Sequence, residues 1–175
     1  IADVAWDVRP QGALDESAYE RGISVYFPDR AVPMLPEALS NGWCSLKPGE
    51  DRPCLAARIW LDADGVMLRH RITRAMMRSA ARLTYEQVQR AHDGEPDDAV
   101  APLLESSIRP LYGAYRALAK ARAERGVLEI DVPERRVVLD EEGRIVRVEI
   151  RARYDSHRLI EDFMIAANVA AAETL

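Results

Sequence analysis

The chain has 175 residues, of which 48% are hydrophobic and 30% charged, and its formal net charge is −5. This length predicts one domain with a sizeable core, and the acidic balance excludes bulk attraction to nucleic acid, so any polyanion site requires a local basic patch. No apolar run approaches the ~18 residues of a membrane span. Cys44 and Cys54 form neither a disulfide framework nor a metal-binding pattern with histidine. We therefore expect a cytoplasmic protein with reduced thiols and no membrane association.

The first half of the chain predicts short strands and helices separated by turns. In chain order these are a strand over 1–8, a helix over 13–22, a strand over 23–28 and a helical turn over 36–41. Asp-Gly at 64–65 tolerates the positive φ angles of a tight turn, so strands over 54–61 and 66–77 are expected to form a hairpin. Thr84 and Gln87 have the spacing of a capping box, which predicts a helix that begins there.

The second half predicts two longer helices and three strands. Apolar residues recur every three or four positions over 97–125, where Pro110 marks a break or kink and Gly126 the end. Strands follow over 127–132 and, as a hairpin, within 135–151. The last helix covers 155–175, with Asp155 or Ser156 as its cap. The predicted fold class is therefore α+β, with antiparallel hairpins packed with several long helices.

Two features of the sequence suggest a ligand-binding surface and a fragment of a longer chain, respectively. The run over 24–53 combines several prolines with apolar side chains, and long ordered loops of this kind are usually functional. The chain opens on a strand-like run without an initiator Met and stops inside a helical pattern. We therefore expect a fragment in which residues 24–53 contribute to a binding surface.

The polar candidates leave several alternatives open. His157, Glu161 and Asn168 share one face of the last helix, which suggests ligand contact, a satisfied core network or a solvated face. The acidic pairs at 62/64, 97/98 and 141/142 are explained by turn and cap chemistry, and His70 and His92 are expected to be structural or exposed. A run of arginines could track a phosphate backbone or form solvated faces: Arg69, Arg71, Arg74, Arg78 and Arg82.

Tyr26 and Phe27 are adjacent on a predicted strand, so their side chains are expected on opposite faces. One should pack in the core, and the other could provide a stacking platform for a base. Composition and residue spacing alone do not identify a function.

Five segments resemble, in this order, the RNB catalytic domain of the ribonuclease II and ribonuclease R family. The resemblance covers essentially the whole chain and is closer to ribonuclease R, particularly in "CSLKPGEDR" and "RGVLEIDVPE". The segments are "IADVAWDVRP", "ALDESAYERGISVYFPDRAVPMLPEALSNGWCSLKPGEDR", "SAARLTYEQVQ", "RGVLEIDVPE" and "DSHRLIEDFMIAANVAAAE".

The resemblance implies a function and three site residues. Family members degrade single-stranded RNA processively from the 3′ end with Mg²⁺ and release nucleoside 5′-monophosphates. By this resemblance Tyr26 stacks on the 3′-terminal base, while Tyr85 and Glu161 engage the terminal nucleotides and distinguish ribose from deoxyribose. A carboxylate suits that task because it accepts a hydrogen bond from the 2′-hydroxyl that DNA lacks. A monomer that binds single-stranded RNA is expected.

Departures from the family pattern limit what this segment can do. The family's metal-binding aspartates precede the part that matches residue 1, and a catalytic arginine follows the part that matches residue 175. Residues 1–175 therefore match the central segment of an RNB domain, without catalytic residues or metal ligands of its own, and are expected to be inactive alone. Ile130 replaces an aromatic that sandwiches the base, and Trp6 and Asp7 replace His and Tyr. The alternatives are a non-catalytic RNA-binding paralogue and an unrelated α+β interaction module.

Overall fold

A computed structural model describes residues 1–127 and 132–175. These residues divide into two compact units. The first comprises Ile1–Leu55, Arg74–Ser79 and 132–152, and the second comprises Ala56–Thr73, 80–127 and Arg153–Leu175. Ile130 and most of the strand predicted over 127–132 lie outside the described residues.

The first unit contains short helices and two small antiparallel hairpins. Strand β1 (Val25–Tyr26) pairs with β2 (Ala31–Val32) through Val25↔Val32 and Tyr26↔Ala31, and β5 (Arg135–Leu139) pairs with β6 (Ile145–Ile150) with an irregularity between Val138 and Leu139. The elements are α1 (Val4–Asp7), α2 (Ala13–Arg21), β1 (Val25–Tyr26), β2 (Ala31–Val32), a π-helical turn (Ala38–Trp43), β5 (Arg135–Leu139) and β6 (Ile145–Ile150).

The strand predicted over 1–8 is wrong beyond its first residues. Ile1 and Asp3 pair with the chain at Leu55 and Pro53, but Val4–Asp7 form one helical turn. The pairing stops where the Asp3 side chain turns inward, since its carboxylate is buried and accepts a 2.8 Å contact from Arg74. A buried charge needs such a partner, and this tertiary requirement overrides the local strand preference.

Strands β3 (Asp51–Leu61) and β4 (Met67–Arg78) correspond to the strands predicted over 54–61 and 66–77. They are neighbours in a two-stranded sheet. The turn between them is built as the Asp-Gly sequence predicts, since Gly65 has φ +78° and Asp62 accepts hydrogen bonds from two backbone N–H groups in the turn. The mixed composition of helices and antiparallel hairpins confirms the predicted α+β class.

The second unit has a small core between helices α3 (Tyr85–His92), α4 (Arg109–Glu124) and α5 (Asp155–Thr174). Its buried members are Ala91, Val100, Ile108, Tyr112 and Leu159. The Tyr112 ring stacks on His92 with centroids 3.7 Å apart, and burial raises the pKa of the Tyr112 hydroxyl to about 12. Among the described residues, no helix has the length and apolar character needed to cross a membrane.

The long helical pattern of 97–125 is subdivided, as Pro110 predicts. A 3₁₀ turn (Ala101–Leu103) and a π-helical turn (Leu104–Ile108) precede α4, in which Pro110 occupies the first turn. Proline is tolerated there because the first N–H groups of a helix have no intrahelical acceptor. The predicted cap of α5 is wrong by one residue: Tyr154 precedes the helix, and its N–H donates to His157 Nδ1 at 3.1 Å.

Candidate functional site

The start of α3 is held in place from both sides. Thr84 Oγ1 accepts from the Gln87 N–H at 3.2 Å and the Thr84 N–H donates to Gln87 Oε1 at 2.9 Å, which confirms the predicted capping box. The hydroxyl of Ser156, at the start of α5, donates to the Tyr85 carbonyl at 2.9 Å. The backbone that carries Tyr85 is therefore fixed against α5.

The His157 ring fills the space beside Tyr85. Their centroids lie 4.0 Å apart with an interplanar angle of 18°, and Tyr154 lies at 5.6 Å from the same imidazole. Since Nδ1 accepts from the Tyr154 N–H, a neutral imidazole carries its proton on Nε2. Nε2 is buried and has no hydrogen-bond partner among residues 1–127 and 132–175. The stack and the Nδ1 bond together fix the ring orientation.

Glu161 lies one helical turn after His157, on the same face of α5. Its Oε2 accepts from Arg153 Nη2 at 2.6 Å, and its side chain is 46% exposed. A carboxylate has about four acceptor sites, so the contact with Arg153 leaves acceptor capacity for another donor. Tyr85, through its stack on His157, thus lies at the face of α5 that also carries Glu161, and all three residues belong to the second unit. Asn168, the third residue of the predicted polar face, is exposed farther along α5.

Tyr26 belongs to the first unit, at the end of the two-residue strand β1. Its side chain is 81% exposed, and the neighbouring Phe27 is also exposed beneath the Arg30 guanidinium, 5.0 Å from the ring centroid. The prediction that one of the two aromatics packs in the core is wrong. A hairpin with two residue pairs is too short to cover a buried face. The Tyr26 ring is accessible for stacking.

The buried acid of α5 is Asp162, which sequence reasoning missed. Asp162 Oδ1 contacts Arg122 Nη1 of α4 at 3.1 Å, and the two side chains are 4% and 20% exposed. The signal was present in the spacing, because Leu159, Asp162 and Ala166 follow the apolar period of the buried face. Glu161, one residue earlier, is directed away from that face.

At least one member of each acidic pair makes a structural contact. Asp62 and Asp97 accept hydrogen bonds from backbone N–H groups that follow them. The Gln87 side chain, together with the Val100 and Ala99 N–H groups, holds the pKa of Asp97 below its usual range. In the β5–β6 turn Asp140, rather than Glu141 or Glu142, accepts the backbone bonds. No three His, Cys, Asp or Glu side chains of the described residues form a group suited to a metal ion. The residues present in this part of the chain therefore do not fit a magnesium site.

Comparison with known proteins gives consistent similarity over the whole chain. The family model described as RNB domain matches residues 1–175. Ribonuclease R of Escherichia coli (strain K12) is 43% identical over 174 residues, which cover 98% of this chain and 21% of that protein. Mycoplasma genitalium RNase R, solved in complex with ribose methylated single-stranded RNA, superposes with a TM-score of 0.90 at 28% identity, covering 96% of this chain and 26% of that one.

A more distant structure shares the fold alone. Yeast Ssd1, described as a pseudonuclease, matches with a TM-score of 0.57 and 19% identity over 71% of this chain and 14% of its own. The chain spans about a fifth to a quarter of the length of the curated relatives it matches.

Proposed function

This chain belongs to the RNB domain family, and we propose that it is the central segment of a 3′-to-5′ exoribonuclease that degrades single-stranded RNA. Its homology to ribonuclease R and its likeness to an RNase R structure in complex with RNA support this reading. We propose that degradation is processive, that the products are nucleoside 5′-monophosphates, and that residues 1–175 line the RNA channel. The proposal includes a monomeric protein that works in the cytoplasm.

The observation that carries the proposal is the stack of Tyr85 on His157 at the face of α5 that also carries Glu161. Tyr85 is held against α5 by the hydrogen bond from the Ser156 hydroxyl to its carbonyl and by the stack on His157, so the orientation of its ring is fixed before a nucleotide binds. Glu161 keeps acceptor capacity on a half-exposed carboxylate. The aromatic face of Tyr85 suits stacking on a base, and the Glu161 carboxylate suits a hydrogen bond from the 2′-hydroxyl of the ribose.

Each site residue has a distinct task in this proposal. Tyr26 stacks on the 3′-terminal base through its exposed ring. Tyr85 contacts the terminal nucleotides, and Glu161 accepts a hydrogen bond from a 2′-hydroxyl. His157 positions Tyr85 by stacking on its ring. Its Nδ1 also accepts from the Tyr154 N–H, which helps to fix the start of the helix that carries Glu161 one turn later. Arg153 orients the Glu161 carboxylate.

Hydrolysis of the phosphodiester requires chemistry that this part of the chain does not supply. A bound Mg²⁺ provides an activated water and neutralises developing charge in such reactions. Since the described residues do not fit a magnesium site, we assign the metal ligands to parts of the protein beyond these residues. The role of residues 1–175 is then to bind and orient the RNA end.

A second candidate is a non-catalytic RNA-binding protein built on the same fold. The fold likeness to yeast Ssd1, described as a pseudonuclease, favours keeping this alternative. It predicts RNA binding by the full-length protein without shortening of the RNA. The experiment that follows separates the two candidates.

Tyr26→Ala in the full-length protein is expected to lengthen the smallest RNA that remains at the end of digestion. One stacked base is worth about 1–3 kcal/mol, so an enzyme without that stack releases short substrates earlier. The measurement is a product ladder from 5′-labelled single-stranded RNA with Mg²⁺, resolved on a gel for the wild type and the variant.

Tyr19→Ala is the matched control, because Tyr19 is another highly exposed tyrosine, in α2. It should leave the ladder as in the wild type. A wild-type protein that binds the RNA but never shortens it would support the non-catalytic candidate. A Tyr26→Ala ladder identical to that of the wild type would remove the stacking role of Tyr26.

A further inference from the structure

The part of the β3–β4 pair that lies in the second unit has two chemically different faces. Three residues of β3 line an apolar cavity of about 650 Å³ together with side chains of α4 and α5: Ala57, Ile59 and Leu61. Because side chains alternate along a strand, Arg58 and Trp60 lie on the opposite face. Arg58 and Trp60 are both exposed on this outer face.

Trp60 and Arg69 connect the two strands across this outer face. The Arg69 guanidinium lies over the Trp60 indole, 4.1 Å from the ring centroid. Arg71, two residues further along β4, projects to the same side as Arg69. We name this group of Arg58, Trp60, Arg69 and Arg71 the outer basic face, and all four of its side chains are exposed.

The arginines of β4 fall into two classes. Arg74 contacts the buried Asp3, and Arg78 makes two hydrogen bonds with Asp51, a pairing that holds the pKa of Asp51 below its usual range. By contrast, no carboxylate of the described residues lies within ion-pair distance of Arg58, Arg69 or Arg71. In a chain with a net charge of −5, three arginines on one face without a carboxylate partner among the described residues form a local positive patch.

The outer basic face is held on a rigid support. Gly65, at the tip of the pair, packs directly on the Ala117 carbonyl of α4, and Asp64 contacts Lys120 of the same helix at 2.5 Å. At α5, the His70 ring contacts Glu173 at 3.4 Å and Thr174 at 3.0 Å. The strands are thus fixed to both long helices, and the outer face points away from them.

From these observations we propose that the outer basic face binds single-stranded RNA, as a second contact site separate from Tyr85 and Glu161. The indole beneath Arg69 restricts the guanidinium, so less side-chain entropy is lost on binding. Guanidinium planes stack on bases and bind phosphates. Arg58, two residues before Trp60, and Arg71, two residues after Arg69, lie on the same face and offer two further guanidinium groups. The choice of RNA as the ligand rests on the proposed function.

The position of the face along α5 predicts a dependence on RNA length. His70 contacts Glu173, which lies twelve residues after Glu161 on one continuous helix. At 1.5 Å per residue this is about 18 Å along the helix axis. An RNA whose end occupies the Glu161 site must therefore be long enough to cover that distance before it reaches the outer basic face.

The test compares Arg58→Ala/Arg71→Ala with the wild type in the full-length protein. Binding of fluorescent single-stranded RNA is measured by anisotropy in EDTA over a range of salt concentrations, with a long oligonucleotide and with a trinucleotide. We expect the double variant to bind the long RNA several-fold more weakly. The slope of log affinity against log salt should fall by about 1.4, at about 0.7 for each phosphate lost. Binding of the trinucleotide should be unchanged.

Arg116→Ala/Arg125→Ala is the matched control, since it removes the same charge from exposed arginines of α4 and its end. It should leave the salt slope unchanged. The proposal is overturned if the Arg58/Arg71 variant keeps the wild-type slope for long RNA. It is also overturned if the variant loses trinucleotide binding and thermal stability together, which would indicate a packing role. A wild-type protein that binds no RNA would instead contradict the proposed function itself.

Discussion

Replacing Arg122 with alanine is expected to lower the free energy of unfolding by about 3–5 kcal/mol. The Asp162 carboxylate is 4% exposed on the buried face of α5, and Arg122 of α4 contacts it at 3.1 Å. Without the guanidinium, a buried negative charge remains that water cannot solvate. Urea denaturation followed by circular dichroism measures the loss.

Two variants show whether the pair itself is responsible. Arg116→Ala changes an exposed arginine of the same helix and should stay within about 0.5 kcal/mol of the wild type. Arg122→Met/Asp162→Leu removes both charges and should be more stable than Arg122→Ala alone, because no charge is left buried. A single variant as stable as the wild type would show that Asp162 is adequately solvated without Arg122.

Gly65→Ala is expected to cost about 3 kcal/mol, from two separate sources. Gly65 has φ +78°, where an L-residue costs about 1–2 kcal/mol. A Cβ at this position would also lie 2.1 Å from the Ala117 carbonyl oxygen and 2.5 Å from its carbon, and both are backbone atoms. Overpacking of this kind costs about 1–3 kcal/mol, since the strand tip must move away from α4.

Gly143→Ala isolates the first of these sources. Gly143 has the same φ of +78° in the β5–β6 turn, but a Cβ there would meet no atom within 4 Å. Its variant should therefore lose only the conformational contribution of about 1–2 kcal/mol. If urea denaturation gave equal losses for the two variants, the close approach of the strand tip to α4 would be ruled out.

Local signals predicted those parts of the fold that depend on a few neighbouring residues. The Asp-Gly turn at Gly65 and the capping box of Thr84 and Gln87 are formed as expected, because their hydrogen bonds close within four residues. Pro110 marked the change into regular helix for the same reason. The family resemblance carried by the five quoted segments was confirmed by the RNB domain match over residues 1–175.

Features decided by distant contacts were not predictable. The strand expected over 1–8 gives way to a helical turn where Asp3 meets Arg74, a partner far along the chain. The period of Leu159 and Ala166 includes Asp162, but nothing local to α5 indicates that its buried carboxylate pairs with Arg122 of α4. The stack of His157 on Tyr85 joins two helices and has no local signature.

The most direct test of the account is the RNA-to-DNA turnover ratio of full-length Glu161→Ala. A hydrogen bond to a charged group contributes about 1.5–3 kcal/mol, and the half-exposed position of Glu161 places it at the lower end. Turnover of RNA should therefore fall about tenfold, while turnover of a matched DNA oligonucleotide stays near the wild-type value.

Glu20→Ala, which removes an exposed carboxylate of α2, is the control and should change neither rate. Thermal melts of both variants accompany the assay. We expect a narrowed RNA-to-DNA turnover ratio for Glu161→Ala with an unchanged melting temperature. A wild-type ratio combined with a lower melting temperature would contradict it, because Glu161 would then stabilise the fold without recognising the ribose.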